Sequence, residues 1–405
     1  MDFKEFLSEQ KNTHMTHIED KVIYGGVKGT REAIFALREL RDMLGGKSKG
    51  SVSVKWDGAP AIFAGQDPSD GKFFVAKKGI FNKNPKIYKT NADIEEDTKG
   101  SLTDLLKNAL KYLPELGIKG VVQGDFLFGP GDLSTKTIDG QKYVTFHPNT
   151  IVYAIPESQA SEVKKAKIGI VWHTTYNGDT FENMKASYGV DVSKFKKSSN
   201  VWSQDAMLRS VPATMSKQET EKVNEYLSKS GKLFNQIAGS TLRTLEGNQE
   251  LARLIEQFNN TYVRKGEVVT DTKAHTKNLI RWIEDRYQKE IDKRKTEKGK
   301  QTQVDKRDAI LAFFSSKNRS SLEKMFELQK MLVLAKLKLI SKLNSLSNID
   351  TFVQTSKGYK VTGAEGFVAI DKVGGDAVKL VDRMEFSYNN FSPDILKGWQ
   401  SSSRK

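Results

Sequence analysis

The sequence predicts an α+β protein, with antiparallel sheets and flanking helices interrupted by an all-α insertion and then resumed. Short β-rich runs bounded by turn residues occupy the stretch from Ser51 to about Thr175. Helical periodicity with few strand signals follows from Asp191 to Ile349. β character then returns in Gly366-Phe367-Val368-Ala369-Ile370 and Ala377-Val378-Lys379-Leu380-Val381. The implied units are residues 1–190, 191–349 (helical and basic) and 350–405, the first and last forming one domain.

Taken in order, Thr30 to Leu40 sets Ile34, Leu37 and Leu40 at helical spacing, and Gly45-Gly46 stops that helix. Ser51-Val52-Ser53-Val54, Ala61-Ile62-Phe63-Ala64, Lys72-Phe73-Phe74-Val75-Ala76 and Gly120-Val121-Val122-Gln123 read as strands. A helix near residue 101 breaks the series, with Leu102, Leu105, Leu106, Ala109 and Leu110 on a face, before the strand Lys167 to Trp172. Within the insertion, Leu322 to Leu346 is a long amphipathic helix with a Lys-rich face, and Thr296 to Gln303 reads as a mobile loop. There is no internal repeat and no Pro-rich linker.

Composition narrows the chemistry. A hydrophobic fraction of 37% supports real cores. Lys and Arg number 65 against 50 Asp and Glu, a net charge of +15 that suits a polyanionic partner. With no cysteine, disulfides, thiolate zinc and thiol catalysis are excluded, and five scattered histidines argue against a His-rich metal site. Met1-Asp2-Phe3-Lys4-Glu5 lacks an apolar leader core, and no apolar run is long enough to span a bilayer. The expectation is a soluble, cytoplasmic protein without a membrane partner.

Lys55-Trp56-Asp57-Gly58 carries the chemistry. Val52-Ser53-Val54 delivers the lysine at a strand end, and Gly58-Ala59-Pro60 turns into the next strand. A lysine ordinarily titrates near about 10.4, so a nucleophilic one needs a rigid, partly desolvated place beside other cations. A surface lysine in a hairpin is the alternative.

Further segments in chain order make a series. They are Ala76-Lys77-Lys78-Gly79, Gln123-Gly124-Asp125-Phe126-Leu127-Phe128-Gly129, Ile170-Val171-Trp172-His173, Glu365-Gly366-Phe367-Val368 and Val378-Lys379-Leu380-Val381. Together with the Lys55 motif they resemble the collinear motifs of the covalent nucleotidyltransferase superfamily: DNA ligases, RNA ligases and capping enzymes. The Phe128-Gly129 ending is closest to phage-type RNA ligases.

The resemblance implies that Lys55 attacks the α-phosphorus of ATP to form lysyl-AMP, and that AMP then passes to a 5′-phosphate end sealed by a 3′-hydroxyl. It implies ATP contacts from Val54, Lys55, Lys77, Asp125, Trp172, Glu365 and Lys379, with Lys379 also acting in the chemistry. Asp125 and Glu365 would hold Mg²⁺, and Trp172 would cover the adenine. Core packing is the alternative for Trp172, and simple solvation for Lys77 and Lys78.

Departures occur at Pro60, Ile370 and Val381, with Arg383 a possible substitute for the missing final lysine. Few residues follow Arg383, too few for the C-terminal clamp of DNA ligases, so an RNA ligase is the leading reading. A DNA ligase, or a nucleic-acid-binding protein on an inactive scaffold, is the alternative. Lys293, Arg294 and Lys295, with Trp282, Tyr287, Phe313 and Phe314 interleaved nearby, are the expected nucleic-acid surface, a solvated helix pair being the other possibility.

Overall fold

The structure, a computed structural model, describes residues 16–48, 52–208, 213–347, 349–370 and 377–398. Met1–Glu5 and Ser51, considered above, lie outside them. Helix α1 (Gly26–Leu44) realises the N-terminal periodicity, burying Ile34, Leu37, Leu40 and Leu44, and the Gly45 N–H closes it on the Arg41 carbonyl. Strands β1 (Val52–Lys55), β2 (Ala61–Gln66) and β3 (Phe73–Ala76) precede helix α2 (Ser101–Tyr112), whose Leu106 and Ala109 face the core. Then come β4 (Val121–Phe128), β5 (Ser134–Ile138), β6 (Gln141–Phe146), β7 (Ile151–Pro156), β8 (Ile168–Asn177), β9 (Lys185–Tyr188), β10 (Val201–Asp205) and β11 (Met207–Leu208).

The helical block is α3 (Lys217–Gln236), α4 (Gly239–Gly247), α5 (Gln249–Lys265), α6 (Thr272–Asp292), α7 (Glu297–Phe313) and α8 (Ser316–Asn344). It therefore starts later than residue 191, because β10 and β11 still belong to the sheets. A capping box marks the true start: Ser216 Oγ accepts from Glu219 N–H while the Glu219 carboxylate accepts from Ser216 N–H. The expected loop at Thr296–Gln303 is instead the first turns of α7, capped by Thr296 Oγ1 on the Gly299 N–H. A threonine cap before a run free of proline starts a helix here in spite of Gly299. The chain closes with β12 (Asp350–Thr355), β13 (Gly358–Val361), β14 (Gly366–Ile370), β15 (Ala377–Leu380), α9 (Arg383–Phe391) and β16 (Ile395–Leu396). No described helix is long and apolar enough to cross a membrane.

The strands form three sheets, ordered β11-β1-β14-β15, β10-β8-β4-β2-β3 and β13-β12-β7-β6-β5, with β9 added to β8 and β16 to β12. All pairs are antiparallel except β10 with β8. Alternation along β1 sends Val52 and Val54 to one face and Ser53 and Lys55 to the other. The Val52 and Val54 face, with Phe367 and Leu380, joins the same apolar cluster as Leu339, Ile340 and Leu343 of α8. The insertion thus shares its core with the first sheet.

Buried charge seals this joint. Lys336 of α8, 1% exposed, donates to both Glu19 carboxylate oxygens at 2.8 Å. Arg383 at the start of α9 meets Asp20 at 2.8 Å and Glu19 at 3.6 Å, and donates to Asn260 Oδ1 at 2.6 Å. Burial opposes ionisation of Glu19, but Lys336 and Arg383 overcome it and hold the carboxyl down at about 2. Asp20 lies closer to the guanidinium but has no second cation such as Lys336, so burial and the neighbouring Glu19 charge push it up to about 7. Arg383 therefore does not stand in for a missing phosphate-binding lysine, because its charge is spent inside the protein.

Candidate active site

The β1–β14–β15 ladder builds the centre of the site. Lys55 is registered with Gly366, and Val368 with Lys379, so Lys55 and Lys379 project from one face of the sheet, on the two strands that flank β14. The Lys55 ammonium is ion-paired with Glu365, the residue just before β14. Burial pushes the Glu365 carboxyl up, against the pull of Lys55. Burial lowers the Lys379 ammonium from its ordinary value, and the Lys55 charge lowers it further. Its Nζ lies 5.3 Å from the centre of the Phe386 ring, and its strand is bridged in parallel by His17. Two lysines and a carboxylate from segments remote in sequence thus meet on one surface.

The loop after Lys55 is held by its aspartate. Asp57 is buried and accepts from Asn149 Nδ2 at 2.7 Å, Thr150 N–H at 2.6 Å and Ile151 N–H at 2.8 Å. Burial pushes its carboxyl up while these donors pull it down. The Asp57 N–H donates to the Tyr153 hydroxyl at 2.6 Å, and the Trp56 ring stacks on Tyr153 at 4.8 Å. With its acceptors engaged, Asp57 anchors the loop. Asp57→Ala is expected to destabilise the protein by about 2–3 kcal/mol, because it strands buried donors. Thermal or urea unfolding measures this.

Gly58 is required by close approach: a Cβ there would lie 2.6 Å from Asp125 Cβ. The next backbone groups dock on β4, with Ala59 N–H to Phe126 O at 2.9 Å and Phe126 N–H to Pro60 O at 3.0 Å. Pro60, where the sequence resemblance breaks, follows a cis peptide bond and fills this place on β4. Asp125 is thereby set beside the Lys55 loop, half-buried, with His173 Nε2 3.5 Å from its Oδ2.

Other expected contacts fall elsewhere. Trp172 is 0% exposed, packed with Leu106 and Ala109 of α2, and its Nε1 donates to Ser203 Oγ at 3.3 Å. A ring without exposed surface does not stack on a base, so core packing is its role. A register shift of β4 against β8 pairs Gln123 with Thr174 but Gly124 with Trp172. The intervening residue, His173, reaches Asp125 instead. Val54 points its side chain to the face opposite Lys55, against the helical core, so only its backbone borders the site. Lys77 follows β3 and is ion-paired with Asp97 at 2.9 Å beside the Tyr88 ring. Lys86, Tyr88 and Lys77 hold the Asp97 carboxyl far below the usual range.

For a metal, Asp125 and Glu365 are the carboxylates near the Lys55 loop. Among the described residues no group of three or more His, Asp or Glu is arranged around a common point. Hard oxygen donors in small number suit Mg²⁺, which keeps much of its water shell.

Lys293, Arg294 and Lys295 lie exposed at the turn between α6 and α7, with Lys293 paired to Glu290 at 2.7 Å. The aromatics read as stacking partners do not accompany them. Tyr287 and Phe314 are buried in the helical core, and Trp282 and Phe313 pack against it. Helical spacing turns them inward, away from the charged face.

The chain belongs to a family of unknown function, DUF6267, whose model matches residues 12–394. No curated protein and no solved structure matches it.

Proposed function

We propose that the protein is an ATP-dependent covalent nucleotidyltransferase of the polynucleotide ligase type, with RNA as the leading substrate. The observation that carries this reading is the meeting of Lys55, Glu365 and Lys379 on one surface, with Asp125 packed against Gly58. In the proposed step Lys55 Nζ gives up a proton to water and attacks the α-phosphorus of ATP. An N–P bond forms, the bond to the bridging oxygen breaks, and pyrophosphate leaves. Lys379 lies where its cation meets negative charge gathering on the equatorial oxygens. Asp125 and Glu365 would hold Mg²⁺, which supplies charge neutralisation at the phosphates when bound. Asp57, fixed by Asn149, Thr150 and Ile151, keeps the nucleophile loop in place. Lysyl-AMP then passes AMP to a 5′-phosphate, and a 3′-hydroxyl displaces it.

The test is incubation with ATP labelled at the α-phosphate and Mg²⁺, followed by denaturation. Label from the α-position but not the γ-position is expected on the protein. No label across Mg²⁺, Mn²⁺ and Co²⁺ would sink the proposal. Supplying 5′-phosphorylated RNA and DNA to the labelled protein then ranks the substrates.

A further inference from the structure

Helix α9 is built inside out. Its buried positions are Ser387 and Asn389, whereas Tyr388 is 44% and Phe391 75% exposed. The inward polar groups are engaged: Asn389 Nδ2 donates to Thr362 Oγ1 at 2.9 Å, and Asn390 Oδ1 accepts from Thr150 Oγ1 at 3.2 Å. Glu385 accepts from Thr362 Oγ1 at 2.6 Å and from the Gly363 N–H at 3.1 Å. Because the helix uses polar residues to grip the sheet, Tyr388 and Phe391 are left outside. Met384, Tyr388 and Phe391 stand four and then three positions apart, which puts them on one stripe.

A groove of about 300 Å³ runs beside this stripe, lined by Val353, Lys360, Val361, Met384 and Tyr388 and reaching Gly266 at the end of α5. Val361, on the edge strand β13, is 70% exposed. Cations are interleaved with this surface. Lys360 Nζ lies 5.1 Å from the Tyr388 ring centre; Arg264 and Lys265, just before Gly266, and Lys357, in the turn between β12 and β13, are exposed. Of the nearby acids, Glu385 is already bound to Thr362 and Gly363, and Glu267 beside Gly266 is exposed but outnumbered by Arg264, Lys265, Lys357 and Lys360.

We infer that this face of α9 is a platform for a single-stranded stretch of nucleic acid. Bases stack on Tyr388 and Phe391, while Lys357, Lys360, Arg264 and Lys265 follow the phosphates. Aromatic rings alternating with unburied cations match the two halves of a nucleotide, a flat apolar base and an anionic backbone. The basic rim favours a partner with regularly spaced anions over a purely apolar protein surface. The same helix carries the platform on one side and, on the other, sets Phe386 against Lys379 of the Lys55 surface. Its role in presenting an end to lysyl-AMP rests on the proposed nucleotidyltransferase reading; strand binding itself does not.

The experiment is fluorescence anisotropy of the full chain with a labelled, 5′-phosphorylated single-stranded RNA of about 12 nucleotides. Tyr388→Ala and Phe391→Ala are each expected to weaken binding about tenfold. Phe391→Trp should retain affinity, because it keeps the stacking surface. Lys357→Gln with Lys360→Gln should flatten the salt dependence by about one to two in log–log slope. Self-labelling by ATP should be unchanged in all four variants. Unchanged strand affinity in the Tyr388→Ala, Phe391→Ala double variant overturns the inference. So does a double variant that keeps strand affinity but loses self-association on gel filtration, since the stripe would then be a protein interface. Aromatic-dependent binding by a wild-type protein that never labels itself refutes the nucleotidyltransferase reading and upholds the platform.

Discussion

Lys55→Ala is expected to reduce covalent labelling by α-labelled ATP to background while leaving the protein folded. Lys55 sits at the end of β1 with its side chain half-exposed, so its removal takes little from the core. It does free Glu365, whose raised carboxyl can take up a proton in response. Lys55→Arg keeps the charge beside Glu365 but offers no amine that loses its proton near neutral pH, so it should also fail to label. Lys379→Ala separates nucleophile from charge stabilisation. It should slow labelling by about 10²–10³-fold, the effect of deleting one preorganised group that meets developing charge. If label persists in Lys55→Ala, another residue is the nucleophile. If Lys379→Ala labels at the wild-type rate, the pairing of β14 with β15 has no bearing on chemistry.

The second large effect is on stability. Arg383→Met is expected to cost about 3–5 kcal/mol, because it removes the guanidinium facing both Asp20 and Glu19 in a buried setting. The pH dependence has a definite sign. Asp20 is already held at about 7 in the folded protein, well above its unfolded value near 3.8. For an acid raised by folding, the folded state binds more protons between the unfolded and folded values, so stability falls as pH rises through that window. Without Arg383 the carboxyl rises further and the window widens upward. The loss measured by urea unfolding should therefore be larger at pH 8 than at pH 6. An equal loss at both would mean that Asp20 is not the group left uncompensated.

Much of the site could be read from the chain because short motifs on strands keep their meaning when strands pair. Lys55, Glu365 and Lys379 were legible in this way, and antiparallel register brings them together. Trp172 and His173 were legible only as a pair, since the register shift opposite Gln123 and Gly124 decides which of them leaves the core. That shift depends on the partner strand, which local pattern does not specify. Asp57 stood in plain view within the Lys55 motif, but its function depends on Asn149, Thr150 and Ile151, whose polar groups carry no mark of what they will cradle. The Glu19, Asp20, Lys336 and Arg383 cluster was illegible for a related reason. Lys336 belongs to a helix rich in lysine, and nothing local separates the single buried lysine from its solvated neighbours. Its partner comes from the opposite end of the chain.

The shared core beneath β1 has a consequence for how the molecule fails. Val52, Val54, Phe367 and Leu380 share one apolar cluster with Leu339, Ile340 and Leu343 of α8, so the helices belong to the floor under the strand that ends in Lys55. Excising them would wet that floor and release the strand end. Heat or denaturant should therefore dissolve the helical block and the Lys55 sheet in a single step, and ATP bound at one should protect the other from proteolysis.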